Sequence, residues 1–224
     1  ELILQDPLSV STPLLILPLF QGTETLSGAL ADADALTGGD VRRALDRGDI
    51  SGKKEERFLL FPRVESGPER ILLMGVGKKK EVDAEVLRRV VGQGVRAAEE
   101  RRIESLSVWL DPEMPLPEMD HAQAATEGVV LAAWRFRELK TQEDPDNPEV
   151  EVTALSLVSQ GDQDEARRGM LIGLAQARGE NLPRTLQARP GNLATPTHLG
   201  EEAKRLGKEF GLDVQVMTPK DIKQ

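Results

Sequence analysis

Short apolar runs alternate along this chain with longer stretches of helical periodicity, and that alternation most narrows what the chain can fold into. The candidate strands are Leu14–Leu19, Arg57–Phe61, Ile71–Gly75, Ser105–Leu110 and Val150–Val158. Most are nearly continuous apolar runs, as expected where helices cover both faces of a sheet. Between them, Asp83–Arg101 places Leu87, Val90, Val91, Val95 and Ala98 on one helical face, with Arg88, Arg89, Arg96 and Glu99 elsewhere. His121–Arg137 repeats the pattern with Ala122, Ala125, Val129, Ala132, Ala133 and Phe136. The expected class is α/β: a mixed sheet flanked by helices.

Thr141–Glu149 carries two prolines among acidic residues and reads as an exposed loop. A further helical pattern starts at Asp164, and Pro183 is expected to kink or end it. Arg189-Pro-Gly-Asn192 has turn composition, and Thr195-Pro196 supplies a helix start with Thr as N-cap and Pro in the first helical position. That helix carries Leu199, Ala203, Leu206 and Phe210 on one face and stops at Gly211. A strand is expected over Leu212–Val216, and Thr218-Pro219 repeats the helix-start signal. One helix and one strand make an incomplete α/β unit. The expected division is a domain over 1–160, a linker helix over 161–190 and the truncated start of a second domain over 191–224. The chain begins at Glu1 rather than Met, so residues are expected to precede it, and Gln224 is not taken as a natural end.

Composition excludes several function classes. With 29 Lys and Arg against 38 Asp and Glu, the formal charge of −9 opposes binding to phosphate backbones. The longest apolar run, Leu14–Phe20, is interrupted by Pro18 and is far shorter than the roughly 20 residues of a membrane span. No secretory signal pattern is visible, and the absence of cysteine removes disulfides, thiolate metal sites and thiol nucleophiles together. The expected location is the cytoplasm.

No complete catalytic motif is present. His121 and His198 are the only imidazoles; each sits near a predicted helix start and is read as a partly exposed first-turn residue rather than a ligand. Asp144, Asp146, Asn147 and Glu149 lack the spacing and central Gly of a calcium loop. Gly75-Val-Gly-Lys78 follows a strand and precedes a helix, the setting of a phosphate cradle. A dinucleotide fingerprint, however, needs Gly where Lys80 stands, and a nucleoside-triphosphate loop needs Gly and Ser or Thr where Leu72 and Lys79 stand. The stretch is read as a strand-to-helix turn, with Lys78, Lys79 and Lys80 solvated. Ser156 and Ser159 lack a nucleophile elbow, and Trp109 and Trp134 are expected to pack in a core or interface. No catalytic, cofactor-binding or metal-ligating residue is assigned in this chain.

Arg184-Thr-Leu-Gln-Ala-Arg-Pro-Gly-Asn192, followed by Leu193-Ala-Thr-Pro-Thr-His-Leu199, resembles the segment with which leucyl (cytosol) aminopeptidases leave their linker helix. The family version is close to Arg-Asp-Leu-Val-Asn-x-Pro-x-Asn and then x-x-Thr-Pro-x-x-Leu; Thr185 and Ala188 depart from it. Arg70–Lys78, Ala124–Phe136 and Glu201–Val216 are also similar to family segments. The resemblance implies a macro-domain-like N-terminal domain, then a linker helix and a C-terminal domain with two divalent metals, zinc or manganese. It also implies a homo-oligomer, a hexamer when full length, that removes N-terminal residues from peptides: a hydrolase in which a metal-bridged hydroxide attacks the scissile carbonyl. The family's Asn-Thr-Asp-Ala-Glu-Gly-Arg run is absent, so no catalytic residue transfers. The competing reading is a stand-alone macro-like module for a nucleotide or ADP-ribose.

Overall fold

The computed structural model describes residues 1–140 and 149–222. Contacts divide the chain into two compact units, Glu1–Glu180 and Asn181–Gln224.

The first unit is built on one six-stranded sheet. In chain order its strands are β1 (Leu2–Ile3), β2 (Leu15–Phe20), β3 (Arg57–Leu60), β4 (Ile71–Gly77), β5 (Ser105–Trp109) and β6 (Ala154–Val158). They lie in the spatial order β1-β6-β5-β2-β4-β3. All neighbours are parallel except β3, which runs antiparallel to β4 with Phe58 opposite Leu73. The sheet is therefore mixed and helix-flanked, as the apolar runs predict.

Side chains alternate between two buried faces along each strand. On one face Leu14, Ile16, Leu72 and Met74 meet α3 (Ala84–Glu99) and α4 (Glu118–Ala133) through Leu87, Val91, Val95 and Ala125. On the other, Leu15, Leu17, Leu19 and Leu73 meet α1 (Gly28–Thr37) and α2 (Asp40–Arg47) through Leu30, Ala33, Val41 and Ala44. Asp83 caps α3 by accepting the Val86 N–H at 2.8 Å. Arg88 on α3 donates to the buried Glu127 of α4 at 2.7 Å. A fifth helix, α5 (Gln163–Ala188), packs Gly169 and Gly173 so closely on α4 that an added Cβ would lie 2.0 Å from Met119 O and 2.6 Å from Gln123 O.

The second unit holds α6 (Pro196–Phe210) and the short α7 (Pro219–Ile222). Thr195 caps α6, accepting the His198 N–H at 3.2 Å, and Gly211 ends it at φ 68°.

Several expectations are corrected. Helices α1 and α2 and strand β1 were not anticipated by periodicity, and the last strand begins at Ala154, leaving Val150–Thr153 irregular. Pro183 does not end its helix, because α5 runs through it to Ala188. Leu212–Val216 is not a strand. A strand needs a neighbour to exchange hydrogen bonds with, and no described residue pairs with this segment. It folds back on α6 instead, with Val214 beside Gly207 and Val216 beside Gly200. The expected loop at 141–149 lies outside the described residues except for Glu149, which pairs with Arg137 at 3.2 Å and Lys140 at 2.8 Å.

Candidate functional site

A crevice of the first unit lies where the pairing of β2 with β5 ends. The Leu15 N–H donates to Arg70 O and the Gln21 N–H to Gly77 O, so odd residues of this segment donate toward β4 and even ones face β5. Pro18 has no N–H to give, and pairing of β2 with β5 stops at Ile16. Beyond that point a cavity of about 300 Å³ lies outside the carboxyl ends of β2 and β5, where the connections from neighbouring strands leave in opposite directions.

Its walls come from several elements. Phe20 and Trp109 end the two strands, the N-terminus of α1 brings Ser27 and Gly28, and the segment after β5 brings Asp111 and Glu113. Ser27 Oγ donates to Glu113 Oε1 at 3.1 Å, and Lys79 Nζ donates to Glu113 Oε2 at 3.3 Å while lying 5.2 Å from the Phe20 ring centroid. Burial pushes the Asp111 carboxyl above its ordinary value, and Glu113 adds to this. The Glu113 N–H and the charge of Lys79 act in the other direction without cancelling it. Asp6 and Asp32 also line the cavity, so four carboxylates face a rim carrying Lys79. That potential disfavours a phosphate ligand.

The glycine turn after β4 is occupied by the protein itself. Gly75 N–H donates to Glu56 O and Gly77 N–H to Gly52 O, each at 2.8 Å. A Cβ at Gly75 would stand 1.9 Å from Lys53 O, so these glycines admit the 52–56 backbone and have no amide left for phosphate. The turn is held by the Glu56 carboxylate, which accepts from Ser51 N at 2.7 Å and Lys53 N at 3.1 Å. Burial works against its charge, yet the hydrogen bonds from Ser51 and Lys53 keep its pKa below the usual value. Lys78, Lys79 and Lys80 are exposed.

His121 is not partly exposed as expected but 1% exposed, its Nε2 is without a hydrogen bond, and burial pushes its pKa down to about 4. The Nε2 of His198 is engaged by the Arg189 guanidinium. Ser159 is buried and donates to Glu118, while Ser156 donates to Glu1 at 3.2 Å. Trp109 is buried in the core and floors the crevice; Trp134 is half-buried at the end of α4. Asp144, Asp146 and Asn147 lie outside the described residues. Among the described residues no three His, Asp or Glu side chains group so as to hold a metal, and no helix is long and apolar enough to cross a membrane. The crevice itself went unread in the sequence; the signals were Pro18 inside an apolar strand and the acidic Asp111-Pro-Glu113 directly after another.

Fold and site together define a helix-flanked, mixed-sheet domain with an acid-lined crevice outside the carboxyl ends of two of its strands. The chain belongs to the cytosol aminopeptidase family, and residues 16–143 match the model of that family's N-terminal domain. A probable cytosol aminopeptidase of Roseiflexus castenholzii is 34% identical over 220 residues, which are 98% of this chain and 42% of the relative. One of Bacillus subtilis is 26% identical over 96% of this chain and 43% of its own length. The chain thus spans less than half the length of these relatives. Among solved structures, a mutant of tomato leucine aminopeptidase shares the fold with a TM-score of 0.82 at 20% identity, covering 99% of this chain and 45% of that one. The bottromycin maturation enzyme BotP shares it at 0.72 and 19%, covering 95% and 40%.

Proposed function

We propose that this chain is the non-catalytic N-terminal region of a leucyl aminopeptidase, serving assembly and substrate access in a cytoplasmic homo-hexamer. Removal of N-terminal residues from peptides is carried by residues outside this chain. The observation that supports this reading most directly is the alignment itself: relatives named as aminopeptidases match nearly the whole chain but with under half of their own length. The two divalent ions of such an enzyme, zinc or manganese, do not fit the residues here. His121 is sealed in the core, His198 is held by Arg189, and no three ligand side chains meet among the described residues. Manganese in a complex of BotP supports manganese as one candidate for the whole protein. The domain division favoured is 1–160, a linker over 161–190 and the start of a catalytic domain over 191–224.

A free-standing nucleotide or ADP-ribose module is the weaker reading, because the crevice is lined by carboxylates and the amides of Gly75 and Gly77 are spent within the fold. The purified chain with manganese or zinc should not hydrolyse leucyl anilides, and calorimetry should show no micromolar ADP-ribose binding. Metal-dependent turnover would overturn the non-catalytic assignment; saturable micromolar binding of ADP-ribose would favour the module.

A further inference from the structure

Trp109 ends β5 in the wall of the acid-lined crevice and is 4% exposed. A buried indole ordinarily finds an acceptor for its N–H. Here no described residue accepts from Trp109 Nε1, and the sealed, unpartnered side-chain atoms among the described residues are Glu99 Oε1 and His121 Nε2. The indole N–H is thus unpartnered without being sealed, and the crevice is the open space that Trp109 lines.

Further donors stand at the start of α1. Ser27, its N-cap, makes no side-chain cap bond; its hydroxyl donates to Glu113 instead. The first-turn amides of Gly28 and Ala29, both in the crevice wall, are therefore left without an intrahelical or capping acceptor. The same crevice holds acceptors. Asp111 Oδ1 accepts the Glu113 N–H at 2.8 Å, while Oδ2 makes no bond to a described residue, and Asp6, Asp32 and Glu113 add negative charge. Phe20 and Leu30 supply apolar surface. At about 300 Å³ the space lies at the small end of ligand pockets.

Open donors and an open carboxylate oxygen in one small, partly apolar space suit a ligand that is cationic at one point and accepts hydrogen bonds at another. We propose that the crevice binds a primary ammonium group with a neighbouring carbonyl oxygen, the chemistry of a peptide N-terminus. The ammonium sits on Asp111 Oδ2, the carbonyl oxygen on the N–H groups of Trp109 and α1, and the first side chain against Phe20 and Leu30. A free amino acid carries the same groups, but its carboxylate adds a negative charge among four others, so the peptide N-terminus is favoured. The binding invokes no residue outside this chain and is independent of the aminopeptidase reading. Leucinamide is the minimal probe. The two tryptophans give two indole N–H resonances, assigned with Trp134→Phe. Titrating the purified chain with leucinamide to about 10 mM should move the Trp109 resonance saturably. N-acetyl-leucinamide, which has no ammonium, and 3-methylbutylamine, which has no carbonyl, should each bind roughly tenfold or more weakly. Asp111→Asn should weaken leucinamide to a similar degree while the free protein keeps its folded spectrum, and free leucine should bind more weakly than the amide. No saturable shift at Trp109, equal binding of the acetylated compound, or unchanged binding by a folded Asp111→Asn variant would overturn the proposal. Leucine binding as tightly as leucinamide would overturn the choice of a peptide N-terminus. Recovery of intact leucinamide keeps binding apart from turnover, so a failure here leaves the non-catalytic assignment standing.

Discussion

His121 shows how a residue's role follows from burial rather than type. The imidazole is neutral because burial penalises its charged form, and Nε2 has no hydrogen-bond partner among the described residues. Its folded pKa, about 4, lies below the ordinary 6.5, so the unfolded chain takes up the proton first as pH falls. Stability is therefore fully present above pH 6.5 and is lost as pH falls from there through 4, by about 3 kcal/mol at most. The carboxyls of Asp111 and Glu99, raised mainly by burial, act in the opposite sense, so the parent must be compared with a variant. Urea titrations should show His121→Phe losing less stability than the parent between pH 7 and 4.5; an identical slope in both would refute the assignment. At Gly75 space decides rather than charge. Gly75→Ala should cost about 2 kcal/mol or more, since the new carbon stands where Lys53 O now lies. A melting temperature unchanged by that substitution would show that the 52–56 turn yields easily.

At the scale of elements, small residues decide which helices touch. Gly169 and Gly173 let α5 meet the α4 backbone, and Gly128 lets α4 approach Arg88 O of α3 to 2.6 Å from its virtual Cβ. Gly169→Val should therefore separate α5 from α4 and destabilise the first unit by about 2–3 kcal/mol, whereas Gly179→Val, facing open space, should change stability far less. Denaturant midpoints of the two variants test this directly, and equal losses would contradict it. Pro18 acts on the sheet in the same local way. It has no N–H to extend the β2–β5 ladder, which stops at Ile16, and the acid-lined crevice lies beyond the ends of these two strands.

For the whole molecule, the contrast lies between a finished sheet domain and a unit with much apolar surface in water. Leu199, Phe210, Leu212 and Met217 are all exposed in the second unit, while Leu15, Leu17, Leu72 and Leu73 in the first are sealed. Backbone amides after Asn192 should therefore exchange faster than those of Ile71–Gly75, and extending the chain to the length of its relatives should protect them. Equal, strong protection at both places in the isolated monomeric chain would rule this out.

What the sequence by itself determined is everything with a local cause. Nearly continuous apolar runs located β2, β4 and β5, and the 3.6-residue pattern located α3 and α4. Thr195 and Gly211 marked helix ends because capping is a matter of a few neighbouring residues, and the Arg184–Leu199 pattern pointed to the family. Only tertiary structure decided what depends on a distant partner. Leu212–Val216 alternates like a strand but has no neighbour to bond with, and the Gly75–Gly77 turn resembles a phosphate cradle until residues 52–56 fill it. His121 follows the same rule: a first-turn histidine reads as surface, and only the packing of the elements around α4 puts it in the dark. Backbone and buried polar groups are satisfied, or left unsatisfied, by residues far along the chain, and local sequence carries no record of which ones will arrive.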